Sequence, residues 1–179
     1  MEKTENSAPA QERSPAAGFF AKIKRTLELR LYTFWKIPLL FYIAPVIEEL
    51  SAERCIVRLP LYRRTKNHLN SMYFGALASA ADCACGLLAM RLIQKEGQQV
   101  SLVFKDFKAD FLRRAEGETW FTCEDGALIR KMVEDTVSSG ERVSRPIRVT
   151  ATVPEKSGAD PVALFELTLS LKKRTGKII

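Results

Sequence analysis

The chain has 179 residues, 46% of them hydrophobic and 27% charged, with a net charge of +7. That apolar share excludes a wholly disordered chain, and the charge share with a mean hydropathy of -0.09 excludes a polytopic membrane protein. The basic balance suits an anionic ligand or surface, while four cysteines and an opening MEKTENSAPAQERSPAAG without an apolar core suit a reducing, cytoplasmic setting.

Residues 1–18 are rich in Pro, Ala, Ser and charge and predict a flexible arm. Residues 19–50 read as an N-terminal helical segment. Within it Phe20, Ile23, Leu27, Leu31 and Phe34 recur at spacings of three and four, which predicts a helix over 19–36 packed through that stripe. Lys22, Lys24, Arg25, Arg30 and Lys36, against a single Glu28, are then its solvated face. The other reading of this helix is a basic amphipathic segment touching an anionic membrane surface. Residues 37–47 (IPLLFYIAPVI) are apolar but broken by Pro38 and Pro45, and fall short of the roughly 20 residues a membrane span needs. Buried packing is expected there.

Residues 51–174 carry the main domain. A strand over 55–61 ends in the basic run Arg63-Arg64-Thr65-Lys66, and a long helix over about 70–93 follows. Its stretch 71–90 is long enough to span a membrane. However, its one charge, Asp82, lies just past the middle, and the rest is mostly small residues, so a buried helix is expected. Residues 100–113 read as a strand with Val103, Phe107, Ala109 and Phe111 on one side and Lys105 marking a bulge or an edge. A short strand over 119–123 leads to a helix that Asp125 can cap, carrying Leu128, Ile129, Met132, Val133 and Val137. Two alternating strands, 143–153 and 163–171, complete the pattern. Short connections predict a largely antiparallel sheet and an α+β class. One sheet covers one side of an all-apolar helix, so a second copy of the chain is the natural cover for the rest.

GxGxxG, Walker, GxSxG and HExxH motifs do not occur. Cys83 and Cys85 would stand about 200° apart on a helix and cannot share a metal, and His68 is the only histidine. No metal and no cofactor are called for. Asp82 stands out: Gly75, Ala78, Ser79, Cys85, Gly86 and Ala89 share its face, small enough for a ligand or a second backbone to approach. A carboxylate there must be paired, hydrogen-bonded, protonated or functional. The plainer alternative is a structural aspartate holding a neighbouring loop.

The loop NHLNSMYFG over 67–75 and the helix ALASAAD over 76–82 together resemble the hotdog-fold thioesterases, chiefly the phenylacetyl-CoA type and their DUF4442 relatives. Those proteins open the loop with Asn, enter the central helix through a His-Gly-Gly-like turn and place Asp or Glu about two turns in. Asn67 matches the loop asparagine and Gly75 the second glycine, whereas Tyr73 stands for the histidine and Phe74 for the first glycine. KADFLRR over 108–114 resembles the family's second strand, and the similarity runs over about 38–173. The resemblance implies a hotdog fold, an antiparallel sheet wrapped around a long central helix, paired as a homodimer or as a tetramer of two dimers. It implies a site at the interface that hydrolyses an acyl-CoA or acyl-carrier thioester. Asp82 would be base or nucleophile and Asn67 would orient water or the thioester. The amides of Phe74 and Gly75 would polarise the carbonyl. Tyr73 and Ser79 would adjoin the substrate, with Arg63 and Arg64 meeting the nucleotide phosphates. Phe74 narrows or closes an acyl tunnel on this alignment. The alternative is therefore a non-catalytic hotdog module holding an acyl chain or fatty acid, at a membrane surface given its basic helix. No helix-turn-helix, RNP or zinc pattern supports a nucleic-acid partner.

Overall fold

The computed structural model describes residues 15–95 and 99–174. The arm expected over 1–18 therefore lies outside the described residues up to residue 14, and 15–18 already belong to the first helix. In chain order the elements are α1 (Pro15–Lys36), α2 (Pro38–Ile43), β1 (Val46–Leu50), β2 (Cys55–Leu59), α3 (Phe74–Lys95) and β3 (Val100–Phe111). Then come β4 (Thr119–Cys123), α4 (Gly126–Ser139), β5 (Val143–Thr152), α5 (Pro154–Ser157) and β6 (Pro161–Lys173). The six strands form one sheet in the order β1-β2-β4-β5-β6-β3, and every neighbouring pair is antiparallel. β1 lies within the stretch expected to be helical, so the sheet begins upstream of residue 51. Its VIEEL sequence lacks period-two alternation, and only Ile47 is buried among its side chains.

Alternation is cleanest in β6, whose Ala163, Phe165, Leu167, Leu169 and Leu171 all face the core. β3, at the sheet's edge, pairs along β6 with a register shift between Phe104 and Phe107. Both predicted signs of Lys105, bulge and edge, are present. The shift also corrects one face assignment. Leu102 and Phe104 lie opposite Leu171 and Leu169, and past the bulge Phe107, Ala109 and Phe111 take over that face. Val103 pairs with Ser170 on the other side, because one extra residue inverts the alternation.

α3 packs across β2, β4 and β5, with Ala76, Ala80, Ala81 and Ala84 letting helix and sheet approach closely and Leu88 and Leu92 filling the interior. It starts at Phe74 rather than near residue 70, because residues 65–73 have other hydrogen-bond partners. The Tyr73 amide donates to the Thr65 carbonyl at 2.8 Å, Lys66 bridges Met72, and Asn70 sits in the left-handed region at φ 58°. α3 is the one helix among the described residues long and apolar enough to cross a membrane, and 61% of its most apolar stretch is buried in the fold. The side away from the sheet is covered in part from within the chain. α4 packs Ile129, Met132 and Val133 inward, and α2 contributes Leu40 and Ile43. Ala78, Ser79, Asp82, Gly86, Leu87 and Met90 form a stripe of this helix that stays only partly buried in the single chain. Asp125 precedes α4 but does not cap it through its side chain; its Oδ2 accepts the Arg148 amide of β5 at 2.7 Å.

α1 inverts its expected orientation. Phe20, Ile23, Leu27, Leu31 and Phe34 are 48–68% exposed, and among the described side chains of α1 the buried ones are Leu29 and Thr33. The polar inner face is held by specific partners. Lys22 pairs with Glu48 of β1, Thr26 Oγ1 accepts the Ile47 amide at 3.2 Å, and Thr33 Oγ1 donates to the Leu29 carbonyl at 2.8 Å. Arg58 of β2 also donates to Glu48 and pairs with Glu118. Burial pushes the Glu48 carboxyl up, but the hydrogen bonds from Arg58 and Lys22 outweigh it and hold the group below its ordinary range.

Candidate functional site

The Asp82 side chain stands on the wall of a cavity of about 550 Å³ between α1, α3 and the start of β3. Most of the lining is apolar, including Leu29, Leu40, Leu87, Met90 and Phe104. Four charged residues also reach it: Asp82 and Arg91 from α3, and Arg25 and Glu28 from α1. Gly86, one turn after Asp82, leaves open space where a Cβ would be, so the helix surface beside the carboxylate is unobstructed. Burial raises the Asp82 pKa above its usual 3.8. Burial and the adjacent Asp82 charge push the neighbouring Cys83 thiol up to about 12, which leaves it an inert core group. The Nε of Arg91 is buried without a hydrogen-bond partner. The cavity therefore offers an apolar body, a half-buried carboxylate and two arginine side chains, Arg25 and Arg91.

The remaining residues singled out in the sequence lie elsewhere in the chain. Asn67 closes its own loop: its Oδ1 accepts the Leu69 and Ser71 amides at 2.8 and 3.2 Å, and its Nδ2 donates to Ser71 Oγ at 3.1 Å. Ser79 Oγ donates to the Gly75 carbonyl at 2.8 Å. Tyr73 and Phe74 are exposed at the start of α3, their rings 4.8 Å apart. The Tyr73 ring folds over Gly75, where an added Cβ would come within 2.6 Å of it. The Tyr73 carbonyl accepts the Ala76 and Leu77 amides, so Phe74 and Gly75 keep the two first-turn amides with no acceptor among the described residues. From Phe74 to Asp82 the helix rises about 12 Å, which separates those amides from the carboxylate of the same chain. Arg64 donates to the Tyr42 carbonyl at 3.0 Å and stacks on the rings of Tyr42 and Tyr62. Arg63 is exposed on the same loop.

Sequence reasoning thus found Asp82 but missed Arg25, Glu28 and Arg91 as its companions. Arg91 left a legible sign, a lone cation on an apolar helix nine positions after Asp82. The α1 pair left none, because they were assigned to the solvated face. Among the described residues no three His, Cys, Asp or Glu side chains stand together as a metal site would need, and all four cysteines are buried and free.

The model of a family described as a domain of unknown function, DUF4442, matches residues 29–169. No curated protein matches the sequence. Among solved structures, a Shewanella oneidensis protein described as a candidate thioesterase superposes with a TM-score of 0.69 at 14% identity, covering 85% of this chain and 99% of its own. A Pseudomonas aeruginosa protein, described as of unknown function and a probable thioesterase, has a TM-score of 0.68 at 22% identity and coverage of 83% and 96%. A Haemophilus influenzae thioesterase has a TM-score of 0.61 at 12% identity, covering 83% and 90%. These likenesses identify the architecture, an antiparallel sheet around one long helix, as the hotdog fold.

Proposed function

The chain belongs to the DUF4442 family, and from that premise we propose that it hydrolyses an acyl-CoA or acyl-carrier thioester in the cavity beside Asp82. One observation carries this reading: a carboxylate of raised pKa standing on the wall of a largely apolar cavity about 550 Å³ in volume. Partial desolvation makes it a stronger base than an exposed aspartate. A water oxygen bonds to the thioester carbonyl carbon while Asp82 takes its proton. Collapse of the tetrahedral species breaks the carbon–sulfur bond, and the thiolate leaves and is protonated. In the other route Asp82 attacks the carbonyl directly, and water then hydrolyses the mixed anhydride. Arg91, the cation that shares both α3 and the cavity with Asp82, is a candidate to steady an oxyanion or the product carboxylate.

On this reading the free amides of Phe74 and Gly75 serve a second copy of the chain, since they stand about 12 Å along the helix from their own Asp82. A homodimer formed through the open edge of β3 would supply them, and Val103, Phe107 and Phe111 are exposed apolar side chains there. Asn67 then acts chiefly by holding the loop that sets the start of α3. Tyr73 and Ser79 flank that entrance, and Arg63 is freer than Arg64 to meet nucleotide phosphates.

The test is thiol release from a panel of acyl-CoAs of increasing chain length. Turnover by the purified chain, lost in a folded Asp82→Asn variant, is the expected result; no turnover on any chain length by a folded protein overturns it. A second reading, a module that holds a fatty acid without hydrolysing anything, is favoured by one feature: Arg91 Nε is a buried cationic donor with no partner inside the chain. A fatty acid that co-purifies, survives Asp82→Asn and is seen by native mass spectrometry would favour binding alone.

A further inference from the structure

The outward face of α1 combines an apolar stripe with a basic surround. Ile23, Leu27, Leu31 and Phe34 are 48%, 56%, 62% and 51% exposed, and Trp35 beside them is 79% exposed. From Ile23 to Phe34 the stripe runs about 16 Å along the helix. It continues over Leu39 and Tyr42 of α2, which are 59% and 55% exposed. Ring contacts join the two helices into one surface, with Phe34 at 5.3 Å from Trp35 and 5.1 Å from Phe41. Cations border it: Arg30 lies over the Phe41 ring and Arg64 over the Tyr42 ring, Lys24 and Lys36 are exposed on α1, and Arg63 and Lys66 are exposed on the loop that carries Arg64. The only acid on α1 is Glu28, which pairs with Lys24 at 3.9 Å.

We propose that this face docks on an anionic lipid bilayer, with the stripe among the upper acyl chains and the cations among the head groups. An amphipathic helix of this kind lies in the plane of the interface with its apolar side sunk several ångströms deep. Trp35 and Tyr42, apolar rings with a polar atom each, are the side chains that such interfaces favour. Charge decides between a bilayer and a second copy of the chain. A two-fold contact through this face would bring its basic border against itself, whereas an anionic surface answers every cation on it. The docking does not depend on thioester hydrolysis. It does place the cavity close to the lipid, because Leu29 and Thr33 on the opposite side of the same helix line that cavity.

The test is flotation of the full chain with phosphatidylcholine vesicles, with and without phosphatidylglycerol, at low and high salt. The expected result is co-flotation with the phosphatidylglycerol vesicles that salt weakens, accompanied by a blue shift of Trp35 emission. The double variant Leu27→Glu/Leu31→Glu should lose at least about tenfold in vesicle binding with its thermal midpoint unchanged, since both side chains are already in water. Lys24→Gln/Lys36→Gln should lower binding to anionic vesicles and flatten its salt dependence. Absence of vesicle binding by the wild type at low salt overturns the proposal, as does binding that Leu27→Glu/Leu31→Glu leaves intact. If the wild type ignores vesicles and that variant lowers its mass in solution, the face is a contact between copies of the chain and the proposal is wrong.

Discussion

α1 and α3 are both 22 residues long, yet they treat their apolar side chains in opposite ways. α3 buries Leu77, Leu88 and Leu92 almost completely, whereas α1 leaves Leu27 and Leu31 more than half exposed. The difference lies in what meets the other side of each helix. α3 is apolar over most of its surface, so nearly any orientation buries leucine or alanine against the sheet, α2 and α4. α1 has two unlike faces, and specific polar bonds decide which one turns inward. Lys22 to Glu48 and Thr26 to the Ile47 amide fix the polar face against β1 and leave the apolar face in water. A periodic stripe therefore identifies a face without saying what covers it.

The strongest test of this contrast is at the one charged residue in the middle of α3. Asp82→Asn should lower thioester hydrolysis by about 10²-fold or more in a protein that still folds, measured by steady-state kinetics beside circular dichroism. Next, Leu88→Ala should cost about 2–5 kcal/mol of stability in denaturant melts, because Leu88 is fully buried in the main core. Gly126→Ala should cost about 1–3 kcal/mol by overpacking, since the new Cβ would fall 2.3 Å from the Ala52 carbonyl oxygen. Asn67→Ala removes the acceptor that holds the Leu69 and Ser71 amides and should cost about 1–2 kcal/mol, with faster hydrogen exchange confined to residues 67–73 as its signature. The smallest effect belongs to α1: Leu31→Ala should stay within about 0.5 kcal/mol. A loss as large as that of Leu88→Ala would mean that the stripe is buried in solution and would break the comparison.

pH separates the two helices further, with opposite signs. The Asp82 pKa is raised on folding, so the native state holds a proton that the unfolded state has lost. Its contribution favours folding at low pH and is lost as pH climbs from about 3.8 through the raised value. Asp82→Asn should therefore raise the thermal midpoint at neutral pH. Glu48, which anchors α1, is lowered on folding; its contribution is full above the unfolded value near 4.5 and is lost as pH falls through the folded one. Glu48→Gln should lower the midpoint at neutral pH and make little difference in acid. If Asp82 is the base, kcat/KM should also fall on an acid limb lying above 3.8.

Most of the sheet was legible in the sequence because residues 119–123, 143–153 and 163–171 alternate toward a single core, and one face can be buried only in one register. The bulge in β3 was announced by Lys105 on an otherwise apolar side. β1 was not legible, since VIEEL has no alternation and acquires its pairing only from β2. In the site, Asp82 stood out because a lone carboxylate on an apolar helix demands an explanation. Asn67 was singled out by resemblance, and its side chain proves to be engaged within its own loop.

What the amino-acid sequence determined by itself was the set of local periods: a helix apolar all round, strands of period two, and an amphipathic N-terminal helix. Those follow from backbone geometry and from which side chains water rejects. Tertiary structure alone decided how the pieces face one another. It turned the stripe of α1 outward and set Arg91 and Arg25 in one cavity with Asp82. The orientation of α1 depends on partners far apart in the chain, Lys22 with Glu48 and Thr26 with the Ile47 amide, and no local pattern encodes such pairings.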